Sequence, residues 1–217
     1  MSAQEQKIEA ARAALEAVRG GMTLGLGSGS TAEEFVKLLG AAPFARDVRC
    51  TCTSKRTEKL ATSLGLAIYS LAEVAPLDVA IDGADEIDPR LRLIKGHGGA
   101  LLREKIVEQQ AKRFIVIADE SKLVERLGIR VLPVEVTPFA LDVLMKRFDD
   151  LAPKLRENFT TDEGNVIVDV RVPEDKDIAD VVAHIRAHAG VVDTGFFPDE
   201  ASEAIIATAN GIRRMTR

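Results

Sequence analysis

Five consecutive apolar residues, Phe114-Ile115-Val116-Ile117-Ala118, leave this chain few folds to choose from. A strand that is apolar on both faces has to be covered on both faces, as interior strands of parallel α/β sheets are. The flanking pattern agrees. Ile8, Ala11, Leu15 and Val18 recur at helical spacing, predicting a helix over 4–19 that Gly20-Gly21 ends. A strand over 22–26 runs into Gly27-Ser28-Gly29-Ser30-Thr31, and a helix carrying Phe35, Val36, Leu38 and Leu39 follows. A strand over 48–53, a helix from the cap Ser54 to Leu64, strands over 67–71 and 77–81, and a helix over 100–113 continue the alternation. Residues 1–130 are therefore expected to form a Rossmann-like, doubly wound α/β domain with a mostly parallel sheet.

The rhythm changes after Arg130. A strand over 131–136 contains Pro133, which points to an edge or a domain crossing. Pro138 opens a helix to about Phe148, an alternating strand covers 165–172, a helix 177–188 and a strand 191–196. That succession resembles a smaller α+β domain of the split βαβ, ferredoxin-like kind over 131–200. A last strand at 203–208 is expected to rejoin the first sheet, which groups 201–217 with 1–130.

Charge and hydropathy exclude several classes. The net charge of −5 argues against a general nucleic-acid binder. No apolar run approaches the roughly 20 residues of a membrane helix, and Met1–Arg19 has no signal-peptide core. Cys50 and Cys52 alternate along one strand without a partner pair or a histidine cluster, so they are expected to be reduced strand residues of a cytoplasmic protein.

The chemistry concentrates between two apolar segments, in Asp82-Gly83-Ala84-Asp85-Glu86-Ile87-Asp88, Lys95-Gly96-His97-Gly98-Gly99-Ala100 and Arg103-Glu104-Lys105. Carboxylates that trade protons, a lysine that holds a negative oxygen and glycines that bare backbone N–H groups suit proton transfer on a small anion. Asp82 ends a strand at the edge where open α/β sheets bind ligands, and Asp85 lies across a Gly-Ala turn, placing both carboxylates toward one cavity. Clustered acids also suit magnesium. Glu104 falls one turn into the helix starting near Ala100, and Lys122 follows the 114–118 strand at the same sheet edge.

The 27–31 loop supplies the hydroxyls of Ser28, Ser30 and Thr31 at a helix N-terminus, a place that favours a phosphate. It lacks the lysine of a Walker loop. It also departs from the dinucleotide fingerprint, with Ser30 at the third small position and Thr53-Ser54-Lys55-Arg56 where an acid belongs. Arg56 keeps a 2′-phosphate in play, but a phosphate monoester fits better.

Six segments, 27–32, 82–87, 95–106, 118–122, 132–136 and 161–165, together resemble the ribose-5-phosphate isomerase type A family in order and spacing over most of the chain. The resemblance implies an aldose–ketose isomerase that needs no metal or other cofactor, built as a homodimer or homotetramer. It makes Glu104 the proton acceptor. Substrate contacts are expected at Ser28, Gly29, Ser30 and Thr31, at Asp82, Gly83, Ala84 and Asp85, at Lys95, Gly96, His97 and Gly98, and at Lys122.

In chemical terms, Lys95 and the glycine amides would hold an enediolate, while Asp82 and Asp85 manage hydroxyl protons. The family usually carries glycine at position 97. A positive φ there would cost histidine about 1 kcal/mol or more. Amino-sugar-phosphate deaminases, CoA transferases and a non-catalytic sugar-phosphate sensor are the rival classes. The combination of Asp82, Asp85, Lys95 and Glu104 favours the isomerase.

Overall fold

The run from Phe114 to Ala118 becomes the strand Phe114–Asp119, buried at every residue. The computed structural model, which describes residues 1–217, places it inside a seven-stranded sheet. The order is Gly211–Thr216, Glu203–Thr208, Phe114–Asp119, Val79–Asp82, Thr23–Leu26, Arg49–Cys52 and Ala67–Ile68. Every pairing is parallel except the closing hairpin of 203–208 with 211–216. Alternation along the central strand explains its composition. Ile115 and Ile117 pack with Ala10, Ala14, Phe35 and Leu39 of the helices Ala3–Leu15 and Ser30–Gly40. Phe114, Val116 and Ala118 face the other way, onto Ile87, Leu93, Phe197 and Ile206.

Residues 131–194 contribute a separate antiparallel sheet ordered Val191–Thr194, Val131–Val136, Val166–Arg171, Lys154–Leu155. The helices Leu141–Arg147 and Ile178–Arg186 belong to the same stretch. Its core of Leu132, Val134, Val168, Val170, Ile178 and Ile185 is distinct from the first. A third sheet, too short to announce itself, joins Phe196–Phe197, Leu93–Ile94 and Glu86–Ile87.

Several expectations need correction. The first helix stops at Leu15, and Val18 reaches the core from the turn that follows. The strand after Gly65 is only Ala67–Ile68, because Ser70 and Glu73 form a capping box that starts the helix Leu71–Val74. The helix expected over 100–113 is Leu101–Glu108. The strand containing Pro133 is interior rather than at an edge. Pro133 is tolerated there because pairing with Val191–Thr194 ends at Val134; only its carbonyl is used on that side, accepting from the Gly195 amide at 2.7 Å. Cys50 is fully buried and Cys52 packs beside it; burial pushes both thiols up to about 12, so neither is a nucleophile.

Candidate active site

Three parallel strands end at one edge, and their following loops build one cavity. Thr23–Leu26 leads into Gly27-Ser28-Gly29, Val79–Asp82 into Gly83-Ala84-Asp85, and Phe114–Asp119 into the short helix Glu120–Lys122. The hairpin of Glu86–Ile87 with Leu93–Ile94 then returns the chain to Lys95 and the glycine loop. The helix Leu101–Glu108 closes the wall with Glu104. The cavity, about 110 Å³, is lined by Lys7, Ser28, Gly29, Ser30, Thr31, Gly83, Ala84, Asp85, Lys95, Gly96, Gly98, Glu104 and Lys122.

Twelve of the fourteen expected residues line that cavity; Asp82 and His97 do not. Asp82 lies beneath it, 1% exposed. Its Oδ1 accepts from the amides of Ser28 (2.9 Å) and Gly83 (2.6 Å), and its Oδ2 is 2.9 Å from Lys95 Nζ. Gly27 is what admits it, since a Cβ there would stand 2.1 Å from the Asp82 carboxyl carbon.

His97 packs outward. Its amide donates to Asp85 Oδ2 at 3.0 Å, and its ring lies 3.2 Å from the Val131 carbonyl and 3.6 Å from Asp85 Oδ1. The positive φ values of the loop fall on Gly96 and Gly99, so histidine at 97 carries no left-handed strain. Ser28 lines the cavity, but its hydroxyl is within hydrogen-bonding distance of those of Thr53, Ser54 and Thr57 at 2.7–3.3 Å.

The two ends of the cavity differ in charge. At one end, Gly29 precedes the helix Ser30–Gly40 with no side-chain cap, and the amides of Ser30 and Thr31 have no acceptor within the chain. Lys122 lines this cavity, as does Lys7, whose ammonium donates to Ser30 Oγ at 2.9 Å. Free helix amides beside two ammonium groups are an anion site.

At the other end, Lys95 is 2% exposed, with Nζ 5.6 Å from the ring centres of Phe114 and Phe197. It donates to the Gly83 carbonyl at 2.6 Å and faces Asp82 (2.9 Å), Glu108 (3.1 Å) and Glu104 (3.8 Å). Burial works against its charge, but the three carboxylates outweigh that and raise its pKa. Burial also pushes Glu104 up to about 8, with Lys95 pulling the other way. The amides of Gly96 and Gly98 point to no acceptor in the chain and border the same end.

The second sheet fastens this loop from outside. Arg156, paired with Asp169, donates to the carbonyls of Gly96 and His97 at 3.0 Å each. Phe159 lies against Gly99, where a Cβ would come within 2.0 Å of the ring. Lys55 and Arg103 hold Asp162 and Glu163. Lys7, Glu108, Arg156 and Phe159 were not foreseen. Only Glu108 left a trace in the sequence, four residues after Glu104 and hence on the same helix face.

A family model described as Ribose 5-phosphate isomerase A (phosphoriboisomerase A) matches residues 49–211. Ribose-5-phosphate isomerase A of Rhizobium meliloti (strain 1021) is 46% identical over 231 residues, spanning 100% of this chain and 99% of its own. Among solved structures, a D-ribose-5-phosphate isomerase in complex with phospho-erythronic acid superposes with a TM-score of 0.94 at 38% identity, over 100% of both chains. Ribose 5 phosphate isomerase A from Neisseria gonorrhoeae gives 0.93 at 36% identity, over 99% of this chain and 97% of its own.

Proposed function

This chain belongs to the ribose-5-phosphate isomerase A family, which interconverts ribose 5-phosphate and ribulose 5-phosphate in the pentose phosphate pathway, and from that premise we propose how its side chains divide the work. The observation that carries the assignment is a single cavity with unpaired amides at both ends and one buried carboxylate, Glu104, at the end where Lys95 lies.

The phosphate of the open-chain sugar takes the end with Ser30, Thr31, Lys7 and Lys122. That sets C1 and C2 beside Glu104. Glu104 removes the proton from C2; the C2–H electron pair forms the C1–C2 double bond, and the carbonyl pair moves onto O1. The amides of Gly96 and Gly98 and the charge of Lys95 stabilise the enediolate, each preorganised donor being worth about 3–4 kcal/mol.

Asp85 relays the hydroxyl proton from O2 to O1. As the carbonyl reforms at C2, Glu104 returns its proton to C1. Asp82 acts through Lys95, which it holds in place. Phospho-erythronic acid, held by the similar enzyme, pairs a phosphate with a planar carboxylate, an arrangement that supports this polarity of the cavity. In the same proposal, residues 131–200 form a unit of their own, the enzyme is cytoplasmic, and it assembles as a homodimer or homotetramer. Phe139 and Val143, exposed and one helical turn apart, give a second copy an apolar surface to cover.

Two measurements test the assignment, both following ketose formation from ribose 5-phosphate without added metal. A base with its pKa pushed up to about 8 works only when ionised. Hence kcat/KM is expected to rise with pH through about 8 and level off above it. A limb centred near about 4.3, the ordinary glutamate value, would remove Glu104 from the role. Lys7→Met is expected to lower kcat/KM by about tenfold or more, chiefly through KM, as loss of a phosphate contact should. An unchanged KM in that variant would move the phosphate elsewhere.

A further inference from the structure

Glu104 and Glu108 lie one turn apart on the helix Leu101–Glu108, and both turn toward Lys95. Glu104 reaches the cavity. Glu108 does not: it is 2% exposed, its Oε1 stands 3.1 Å from Lys95 Nζ without the alignment of a hydrogen bond, and its Oε2 has no partner. Asp82 Oδ2 and Glu104 Oε2 are left in the same condition.

The charges around this cluster do not balance if all three acids ionise. One ammonium would face three carboxylates. A further cation that acts on Glu104, Lys105, is committed to Asp193 at 3.0 Å, and a further acid, Asp85, adds to the excess. Buried unpaired charge is costly enough that a proton must be retained. Burial raises Glu108 well above the ordinary carboxylate range, with Lys95 opposing and Asp82 and Glu104 reinforcing the shift.

Asp82 and Glu108 both lie off the cavity, but Asp82 Oδ1 already accepts from the amides of Ser28 and Gly83, whereas neither Glu108 oxygen has such a donor, and its neutral carboxyl brings an O–H where the cluster lacks donors. Asp82 Oδ2 and Glu108 Oε1 stand 2.9 and 3.1 Å from the same ammonium, which brings the two carboxyls together. We propose, resting on Glu104 as the base, that Glu108 is a positioning residue of the isomerisation: in its neutral form it donates to Asp82 and accepts from Lys95. The lysine charge is thereby left to Asp82 and Glu104. Each Lys95 N–H then has an acceptor (the Gly83 carbonyl, Asp82 and Glu108), and each Asp82 oxygen has donors.

Glutamine reproduces a neutral carboxyl's donor and acceptor; leucine supplies neither. Glu108→Gln is expected to keep kcat and KM within about threefold and to leave the acid limb of kcat/KM in place. Glu108→Leu is expected to lose about 10- to 100-fold in kcat with KM within about threefold. If removing Glu108 as glutamine moves the acid limb down by about one unit or more, an anion at 108 was repelling the charge on Glu104, and the proposal is overturned. Normal turnover in Glu108→Leu overturns it too.

Should the leucine variant fail to fold, an infrared measurement decides without turnover. The protonated-carboxyl stretch is expected to persist at neutral pH in Glu104→Gln and to disappear when Glu108→Gln is added. Its absence in Glu104→Gln alone rules out a neutral Glu108. Glu104 itself is judged separately, by the turnover of Glu104→Gln.

Discussion

Glu104→Gln is expected to lower kcat by about 10²- to 10⁴-fold while leaving KM within a few-fold of the native value. Glutamine keeps the size and the hydrogen-bonding edge of the side chain, so the cavity and its phosphate end remain. What disappears is the carboxylate that, on the proposed assignment, takes the proton from carbon and returns it. Initial rates of ketose formation measure the loss, and exchange of solvent deuterium into the sugar should stop with it. Turnover near the native rate would end the assignment; a raised KM with kcat unchanged would reduce Glu104 to a binding group.

A second readout follows from the raised pKa. The folded protein holds the Glu104 proton more tightly than the unfolded chain does. Its contribution to stability is therefore complete below about 4.5 and is lost as pH rises toward about 8. Glu104→Gln should accordingly lose less stability than the native protein across that window, visible as a flatter plot of melting temperature against pH.

Lys95→Met carries the largest expected stability effect. It leaves Asp82, Glu104 and Glu108 facing one another in a buried space with no cation. Removing one partner of a buried pair costs about 3–5 kcal/mol. For a chain of this length that is a drop of roughly 6–20 °C in melting temperature.

The sign with pH is specific. Without lysine the burial of Glu104 and Glu108 is no longer opposed and both shift further upward, so their stabilising protons are present in acid and lost as pH rises. Thermal melts at acid and alkaline pH should show the gap to the native protein widening on the alkaline side. A gap that is constant with pH would mean that Lys95 contributes by packing alone. Turnover should collapse at every pH if Lys95 stabilises the enediolate as proposed.

Much of this was legible in advance, for identifiable reasons. Residues 114–118 specify a strand covered on both faces by composition alone, and the glycines at 27, 29, 96 and 99 mark where the backbone takes a positive φ or leaves room for a neighbouring side chain. What escaped notice has little sequence signature. Two-residue strands such as Glu86–Ile87 and Leu93–Ile94 have no period to detect. The strand Gly211–Thr216 has no buried residue and carries Arg213 and Arg214, charges of the kind that edge strands bear, and resembles a solvated tail.

Site residues divide in the same way. Lys7 sits among the charges of an ordinary amphipathic helix, and only the tertiary fold aims it at Ser30. Ser28 shows the converse: its hydroxyl looked like a phosphate ligand until the fold brought Thr53, Ser54 and Thr57 against it. Asp82 and Asp85, read as a pair facing one cavity, serve at different depths.

The helix Ala3–Leu15, which carries Lys7, packs on Ile205 and Ala207, and Gln6 donates to Glu120 at 2.7 Å. The helix therefore rests partly on Phe35 and Leu39, close to it in sequence, and partly on a strand near the other end of the chain. Parallel neighbours this distant in sequence make folding slow and its early stages exposed. On the proposed reading, the end of the cavity assigned to phosphate is thus completed only when residues 203–208 support the helix that carries Lys7.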